Sequence, residues 1–268
     1  MNSIQKPRSV AWRPRLGVAA VAISAVIPAA APGLATAAAV SAAPTPPADV
    51  TRPGSSTGPL LTEAAREYTT MVATRYQHHN EESEVRHTYF YDCVGFVSYA
   101  MTQAAPTAWA STRGFVKLRP GYVPSPARYV ALFDKVDAGA SLAGWAAVPT
   151  VTSLQPGDVI AWYYDANATS KPGSASGHAV VVAGPVSQTG PGTYSLLVYD
   201  STATPHGPND TRLTNPANQP DAGGKPSGLG RGTIGILATP GGQISAVQWS
   251  AGGRSVRSAH YGMGRPVS

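Results

Sequence analysis

The sequence predicts an α+β domain in which helices pack on one side of an antiparallel β-sheet. Apolar residues follow helical spacing in three segments between residues 60 and 136. From Val159 onward they form short runs that are rich in branched and aromatic side chains and are bounded by Gly, Pro or Asn. Helices early in a chain and antiparallel strands later are typical of this class.

The N-terminal part of the chain does not have the composition of a folded domain. Four Lys and Arg residues within the first 15 positions precede an apolar run and then small residues, which is the order of a secretory signal peptide. We predict a signal peptide over residues 1–37, although cleavage after Ala37 and after Ala42 suits the pattern equally well. Residues 38–59 are predicted to be a disordered Pro/Ala-rich linker, and residues 60–268 the folded domain.

Composition and charge argue against several classes of partner. The formal net charge is +6, and the predicted signal peptide carries four of the positive charges, so the remainder has a charge of +2 and no nucleic-acid partner is expected. The apolar run is too short for a confident membrane span and is followed by Pro28 and Pro32, so no stable membrane insertion is expected after cleavage. A single cysteine cannot form an internal disulfide, and the fold must therefore rest on an ordinary apolar core.

The folded part is predicted to begin with a packing helix. Thr62 is a suitable N-cap, and the apolar face comprises Leu61, Ala65, Tyr68, Val72 and Tyr76. The polar segment that follows contains His78, His79 and His87. We favour exposed loop positions for these histidines over a metal site, because adjacent histidines project in different directions and no zinc-type spacing accompanies them.

The only cysteine, Cys93, stands at a predicted junction between a strand and a helix. Residues 88–91 are β-branched and aromatic, and from Asp92 the apolar spacing becomes helical. One buried stripe is predicted to contain Cys93, Val97, Ala100, Met101 and Ala104. The start of a helix favours thiolate over thiol, which makes Cys93 a candidate nucleophile. The alternative is that Cys93 is a small buried apolar residue.

The later elements are one more helix and a set of strands. Ser125 as N-cap and Pro126 at the first helical position predict the helix. Five strands are predicted, over residues 159–164, 178–183, 194–200, 233–238 and 244–249. The intervals 165–177 and 201–232 contain no predicted element, and we expect them to form the rim of a cleft.

His178 and Asp200 are the second and third catalytic candidates. If a hairpin with its turn near Thr189 joins their strands, residues whose numbers sum to 378 are paired, and His178 stands opposite Asp200. A carboxylate there would orient the imidazole and leave its other nitrogen for a thiol. His206 and Asp210 compete with Asp200 for this position. The structural alternative is a strand histidine without catalytic function and an aspartate that forms a turn.

Three motifs in order, DCVGFV, LQPGDVI and GHAVVV, resemble those of the NlpC-type cell-wall peptidases and the related CHAP amidases, which have a papain-like fold. The resemblance spans residues 88–200. It implies that Cys93 is the nucleophile, His178 the base and Asp200 the third residue, with no metal or other cofactor. It further implies cleavage of amide bonds in peptidoglycan, either within the stem peptides or between sugar and peptide.

The chain departs from this family at two positions. Val94 follows the cysteine where NlpC-type enzymes commonly have Ser, and Asp200 comes later after His178 than the family's third residue. Asp92 matches the Asp before the family's cysteine, and with Tyr91 it is a candidate contact to substrate, although it is equally suited to capping the helix.

The sequence thus predicts a secreted, cell-wall-associated cysteine hydrolase that acts as a monomer on peptidoglycan or a wall peptide. Attack by Cys93 would form a thioester, with backbone N–H groups at the helix start stabilising the oxyanion. Two alternatives remain open. One is a non-catalytic wall-binding domain on the same scaffold, and the other is a papain-like acyltransferase.

Overall fold

The structure is a computed structural model that describes residues 58–165, 177–254 and 259–267. The predicted signal peptide and nearly all of the predicted linker lie outside the described residues. The described residues form the helices α1 Pro59–Thr70, α2 Cys93–Ala104, α3 Pro106–Val116 and α4 Pro126–Asp137. The strands are β1 Ala73–Arg75, β2 Glu81–Ser83, β3 Thr88–Phe90, β4 Trp145–Ala147, β5 Val159–Tyr164, β6 Gly177–Val182, β7 Ser187–Gly190, β8 Thr193–Thr202, β9 Gly228–Ala238, β10 Ile244–Gln248 and β11 Ala259–Pro266.

Eight of these strands form one sheet, which we call the main sheet. Its order is β10-β9-β8-β6-β5-β11-β4, and β7 pairs with β8 beside this path. All of its pairings are antiparallel. A second, three-stranded sheet has the order β1-β3-β2. Helices and antiparallel strands in one compact unit confirm the α+β class predicted from the sequence.

The main sheet separates two apolar cores. On one face the helices contribute Phe96, Met101 and Phe133, which belong to the same core as Val181 of β6. On the other face the core contains Val180 of β6 with many residues of β5, β8, β9 and β10. Successive side chains of a strand point to opposite faces, so β6 supplies both cores and is buried on both sides.

Helix α1 corrects the first predicted element. It begins at Pro59 with Gly58 as N-cap, and it buries Leu60, Ala64 and Glu67. The predicted N-cap at Thr62 is therefore wrong. Of the predicted apolar face, Leu61, Ala65 and Tyr68 pack half-buried against the core. Pro at the first helical position starts the helix four residues earlier than expected. The helix ends at Thr70, which leaves Val72 68% exposed.

The starts of α2 and α4 agree with the sequence, whereas α3 was not predicted. α2 begins at Cys93 after Asp92, and α4 begins at Pro126 after Ser125. Of the three loop histidines, His78 and His79 are exposed as predicted, whereas His87 is half-buried. Among the described helices, none is long and apolar enough to cross a membrane.

Candidate active site

The start of α2 is held by the side chain of Asp92. Its Oδ1 accepts a hydrogen bond from the Gly95 N–H at 2.8 Å, and its Oδ2 lies 3.0 Å from Nδ1 of His78. The capping role that the sequence left open for Asp92 is therefore confirmed. Both oxygens of the carboxylate have partners, and a contact with substrate stays a prediction.

Cys93 is the first residue of α2 and is 5% exposed. Burial raises the pKa of its thiol, and the negative charges of Asp92 and Asp200 add to this effect. Hydrogen bonding from the backbone N–H groups of Ala179 and Val94 lowers the pKa but does not outweigh burial. The expectation of a thiolate at the helix start is therefore wrong. Removal from water destabilises the thiolate more than the N–H groups at the helix N-terminus stabilise it.

His178 and Asp200 meet as a buried pair. His178 Nε2 lies 2.6 Å from Asp200 Oδ2, and the two residues are 5% and 0% exposed. The predicted register is wrong: Val181 pairs with Tyr199, so the numbers of paired residues sum to 380, and β7 rather than β6 forms the hairpin with β8. A shift of two residues leaves each side chain on its predicted face, so the contact forms on the diagonal.

Two tryptophans enclose the His178 ring. The ring centroid lies 5.1 Å from that of Trp162 and 5.0 Å from that of Trp249. Burial lowers the pKa of His178, against the opposing effect of Asp200, so the imidazole is neutral. Because Nε2 must donate its proton to the carboxylate, Nδ1 carries the lone pair, and it makes no hydrogen bond to the described residues.

Asp200 belongs to a buried group of charges, the Asp200 network, which comprises Asp200, His206, Asp210 and Arg212. Arg212 donates from Nη2 to Asp200 Oδ1 at 2.5 Å and to its backbone carbonyl, and from Nη1 to Asp210 Oδ2 at 2.7 Å. His206 Nε2 lies 2.9 Å from Asp200 Oδ2. Although burial opposes its charge, Arg212 and His206 hold the pKa of Asp200 well below its usual range.

Glycines of β9 make room for the Asp200 network. A Cβ at Gly230 would lie 2.5 Å from the Arg212 side chain, and one at Gly232 would lie 2.6 Å from Asp210 Oδ2. Arg212 is the site residue that sequence reasoning missed. The sequence feature that could have indicated a side chain there is the alternation of Gly228, Gly230 and Gly232, because glycines in a strand indicate that another segment packs closely against it.

Cys93 and the His178 ring belong to different cores of the domain. Cys93 packs in the helix-side core with Ala179, the residue after His178, whereas the His178 ring lies against Trp162 of the second core. The backbone of Ala179 therefore connects the thiol and the imidazole. Within the described ranges, no direct hydrogen bond joins the Cys93 sulfur to the His178 ring.

Tyr91 lies in the core rather than in a cleft. Its side chain is 0% exposed, and its hydroxyl donates to Glu67 Oε2 at 2.6 Å. Burial raises the pKa of Glu67 well above its usual range, so this pair is a neutral hydrogen bond inside the domain. The structure thus corrects the placement of Tyr91 as a contact to substrate, because no part of its side chain reaches solvent.

Three atoms of the site have the spacing of metal ligands. The donor atoms of His178, Asp200 and His206 lie within 4.8 Å of one another, and two imidazoles with a carboxylate can bind a divalent transition metal. Direct hydrogen bonds between the same atoms account for this spacing, and Arg212 occupies the other carboxylate oxygen. A metal would have to replace both of these hydrogen bonds, so the residues do not suit a resident metal.

A cavity of about 300 Å³ lies against α2, and Cys93, His178 and Asp200 are not among its lining residues. This is the lower end of the size range of small-molecule sites. Helix α2 contributes a floor of small and hydroxyl-bearing residues, aromatic rings form walls, and side chains of both charges are present. The lining includes Asn80, Glu82, Gly95, Ser98, Tyr99, Thr102, Trp109, Arg113 and Tyr122.

Comparisons of the chain with protein-family models, with curated proteins and with solved structures found no match.

Proposed function

We propose that the protein is a cysteine hydrolase in which Cys93 is the nucleophile, His178 the base and Asp200 the residue that orients the base. The observation that carries this proposal is the buried hydrogen bond of 2.6 Å between His178 and Asp200. It sets the imidazole in the tautomer whose free nitrogen, Nδ1, accepts a proton. The thiol at the start of α2 lies beside Ala179, the next residue of the same strand.

The reaction starts from a neutral thiol and a neutral imidazole. As the Cys93 sulfur bonds to the carbonyl carbon, its proton passes to His178 Nδ1, a step that requires the imidazole to reach the sulfur past Ala179, and the carbonyl oxygen becomes an oxyanion. Within the described residues the N–H of Cys93 has no hydrogen-bond partner, so it can donate to that oxygen. The imidazolium then protonates the leaving amine as the C–N bond breaks. Water hydrolyses the thioester, with His178 again taking and returning a proton.

The resemblance to NlpC-type and CHAP enzymes supports peptidoglycan as the substrate. The cavity against α2 does not include the catalytic candidates, but its aromatic residues Trp109 and Tyr122 suit the binding of sugar rings or peptide planes beside them. Arg113 is placed to bind a carboxylate of a stem peptide. The same proposal makes the protein secreted and associated with the cell wall.

The test is digestion of purified peptidoglycan, followed by mass analysis of the released fragments. The wild-type chain should release fragments whose new ends identify the bond. Cys93→Ser should release none while unfolding at nearly the same temperature, and His178→Ala, which also removes a buried hydrogen bond, should release none. His260→Gln, which changes an exposed histidine paired with Asp165, is the control and should retain activity. Full activity of Cys93→Ser would exclude the proposal.

Two alternatives have their own outcomes in this experiment. Binding of peptidoglycan by the wild-type chain without release of fragments would indicate a wall-binding domain. Products that carry an added amine, with no ¹⁸O taken up from labelled water, would indicate an acyltransferase. Uptake of one ¹⁸O at the new carboxylate would identify hydrolysis.

A further inference from the structure

The ring of His206 faces a hydrogen-bond acceptor at both nitrogens. Nδ1 lies 2.7 Å from the backbone carbonyl oxygen of Trp249, and Nε2 lies 2.9 Å from Asp200 Oδ2. A carbonyl oxygen has no proton to give. Asp200 is ionised, because Arg212 and two imidazoles surround its carboxylate, so it has none either. Both ring nitrogens of His206 must therefore donate, and only the imidazolium has two N–H groups.

A cation at His206 also balances the charges of its surroundings. Asp200 and Asp210 are negative and Arg212 is positive, and these three residues are at most 2% exposed. Asp210 accepts from the His206 backbone N–H at 2.7 Å and from Arg212. With a neutral His206 the buried group would keep an unpaired negative charge, which is costly in a site without water. With the imidazolium, two positive and two negative charges cancel.

We propose that His206 is a positioning residue that donates from both ring nitrogens, fixes the Asp200 carboxylate and places a positive charge beside the proposed base His178. This inference rests on the proposed function for its catalytic meaning. Asp200 alone would favour protonation of His178, and an unopposed carboxylate would keep the base occupied by a proton. The charge of His206, 6.2 Å away between ring centroids, opposes that protonation.

The groups that act on His206 come from every element packed around it. Asp200 approaches from β8, Asp210 and Arg212 from the segment before β9, and His178 from β6. The Trp249 ring covers it, with centroids 4.3 Å apart. Replacing a cation and replacing an anion in this set should therefore shift the pKa of His178 in opposite directions. If these residues were only structural, the two replacements would not shift that pKa in opposite directions.

The first measurement is the protonation state of His206 in the full chain. Histidine ring nitrogens labelled with ¹⁵N should show both His206 nitrogens protonated from pH 6 to pH 8, and His178 protonated at Nε2 alone. A bare ring nitrogen on His206 in this range would overturn the inference. This measurement needs no substrate and no variant, so its result is independent of whether the protein is a hydrolase.

The second measurement is the pH profile of Cys93 alkylation by iodoacetamide, which modifies the single cysteine of the chain. His206→Gln removes a positive charge and should move the acid limb of the profile to higher pH by on the order of 1 pH unit. Asp210→Asn removes a negative charge and should move it to lower pH by a smaller amount. His260→Gln is the matched control and should leave it in place.

The outcomes separate the two proposals. If His178→Ala leaves the alkylation profile unchanged, Cys93 and His178 do not act as a catalytic pair. The ¹⁵N measurement then still determines the charge of His206. If that profile depends on His178 but His206→Gln and Asp210→Asn shift it in the same direction, the tuning role of His206 is wrong. Should neither variant fold, the protonation states in the wild-type chain decide the inference.

Discussion

At the residue scale, the resting site holds its nucleophile and its base uncharged. Burial raises the pKa of Cys93 and lowers that of His178, so both shifts disfavour an ion pair between thiolate and imidazolium. Proton transfer must therefore accompany attack rather than precede it.

Asp200→Asn should damage both stability and turnover. The amide cannot accept from Arg212 and His206 as the carboxylate does, and two buried cations would face a neutral group. We expect a loss of on the order of 3–5 kcal/mol in the free energy of unfolding, the usual cost of removing one partner of a buried charge pair. Urea denaturation followed by tryptophan fluorescence measures it.

The turnover of any folded Asp200→Asn protein should still exceed that of Cys93→Ser, because the third residue orients the base without taking part in bond formation. Asp165→Asn is the control for loss of a carboxylate from a His–Asp pair, since its partner His260 is exposed. Stability equal to wild type in Asp200→Asn would contradict the buried network of charges.

At the element scale, one salt bridge joins β11 to the turn before β5. Arg265 donates from Nε and Nη2 to the two oxygens of Asp158, at 2.8 and 2.9 Å, and from Nη2 to the carbonyl of Ser153. Asp158 is 1% exposed and also accepts from the Gln155 N–H. This contact gives a structural role to the acidic residue of the LQPGDV motif.

Arg265→Ala should leave the Asp158 carboxylate buried with fewer donors. We expect a loss of about 2 kcal/mol, the range for hydrogen bonds to charged groups, with the catalytic pH profile unchanged. Thermal unfolding followed by circular dichroism measures the effect. Arg128→Ala removes an exposed arginine of α4 and is the matched control. Equal melting temperatures for the two variants would show that the salt bridge contributes nothing.

Glycines explain which strands could be predicted from the sequence. β5, β6, β8 and β10 follow runs of branched and aromatic residues, and their predicted bounds are close to the observed ones. β11 contains Gly262 and Gly264, which look like strand breakers, yet a Cβ at Gly262 would lie 3.1 Å from Phe133. There, glycine serves the packing of α4 on the sheet, which depends on tertiary contacts and leaves no local signal.

The sequence sufficed to predict which residues form the candidate site, but not their protonation states or ionic partners. Local patterns sufficed to single out Cys93, His178 and Asp200, since strand alternation and a helix start are short-range features. The protonation of Cys93 depends on burial in the helix-side core, and the partners of Asp200 come from a segment without regular spacing. These properties arise only when distant segments meet.

At the scale of the whole molecule, β11 completes the main sheet. It lies between β5 and β4 and pairs with both, and α4 packs across it through Phe133. Without β11, the backbone groups along one edge of β5 have no partner, and part of the helix-side core is uncovered.

Removal of residues 259–268 should therefore abolish cooperative unfolding. Differential scanning calorimetry of the truncated chain should show no sharp transition, and a dye that binds exposed apolar surface should bind it strongly. A chain of residues 58–268, which retains every described element, is the control and should unfold in one transition. A sharp transition in the truncated chain would mean that β11 is dispensable.

The place of β11 also has a consequence for biosynthesis. Every other strand of the main sheet is translated before it, so a growing polypeptide carries an open sheet until β11 has left the ribosome. Such a nascent chain cannot settle early into its native state and offers apolar surface to a chaperone. The proposed secretion would give this delay a use, since a chain that has not closed its sheet can still be threaded through a narrow channel.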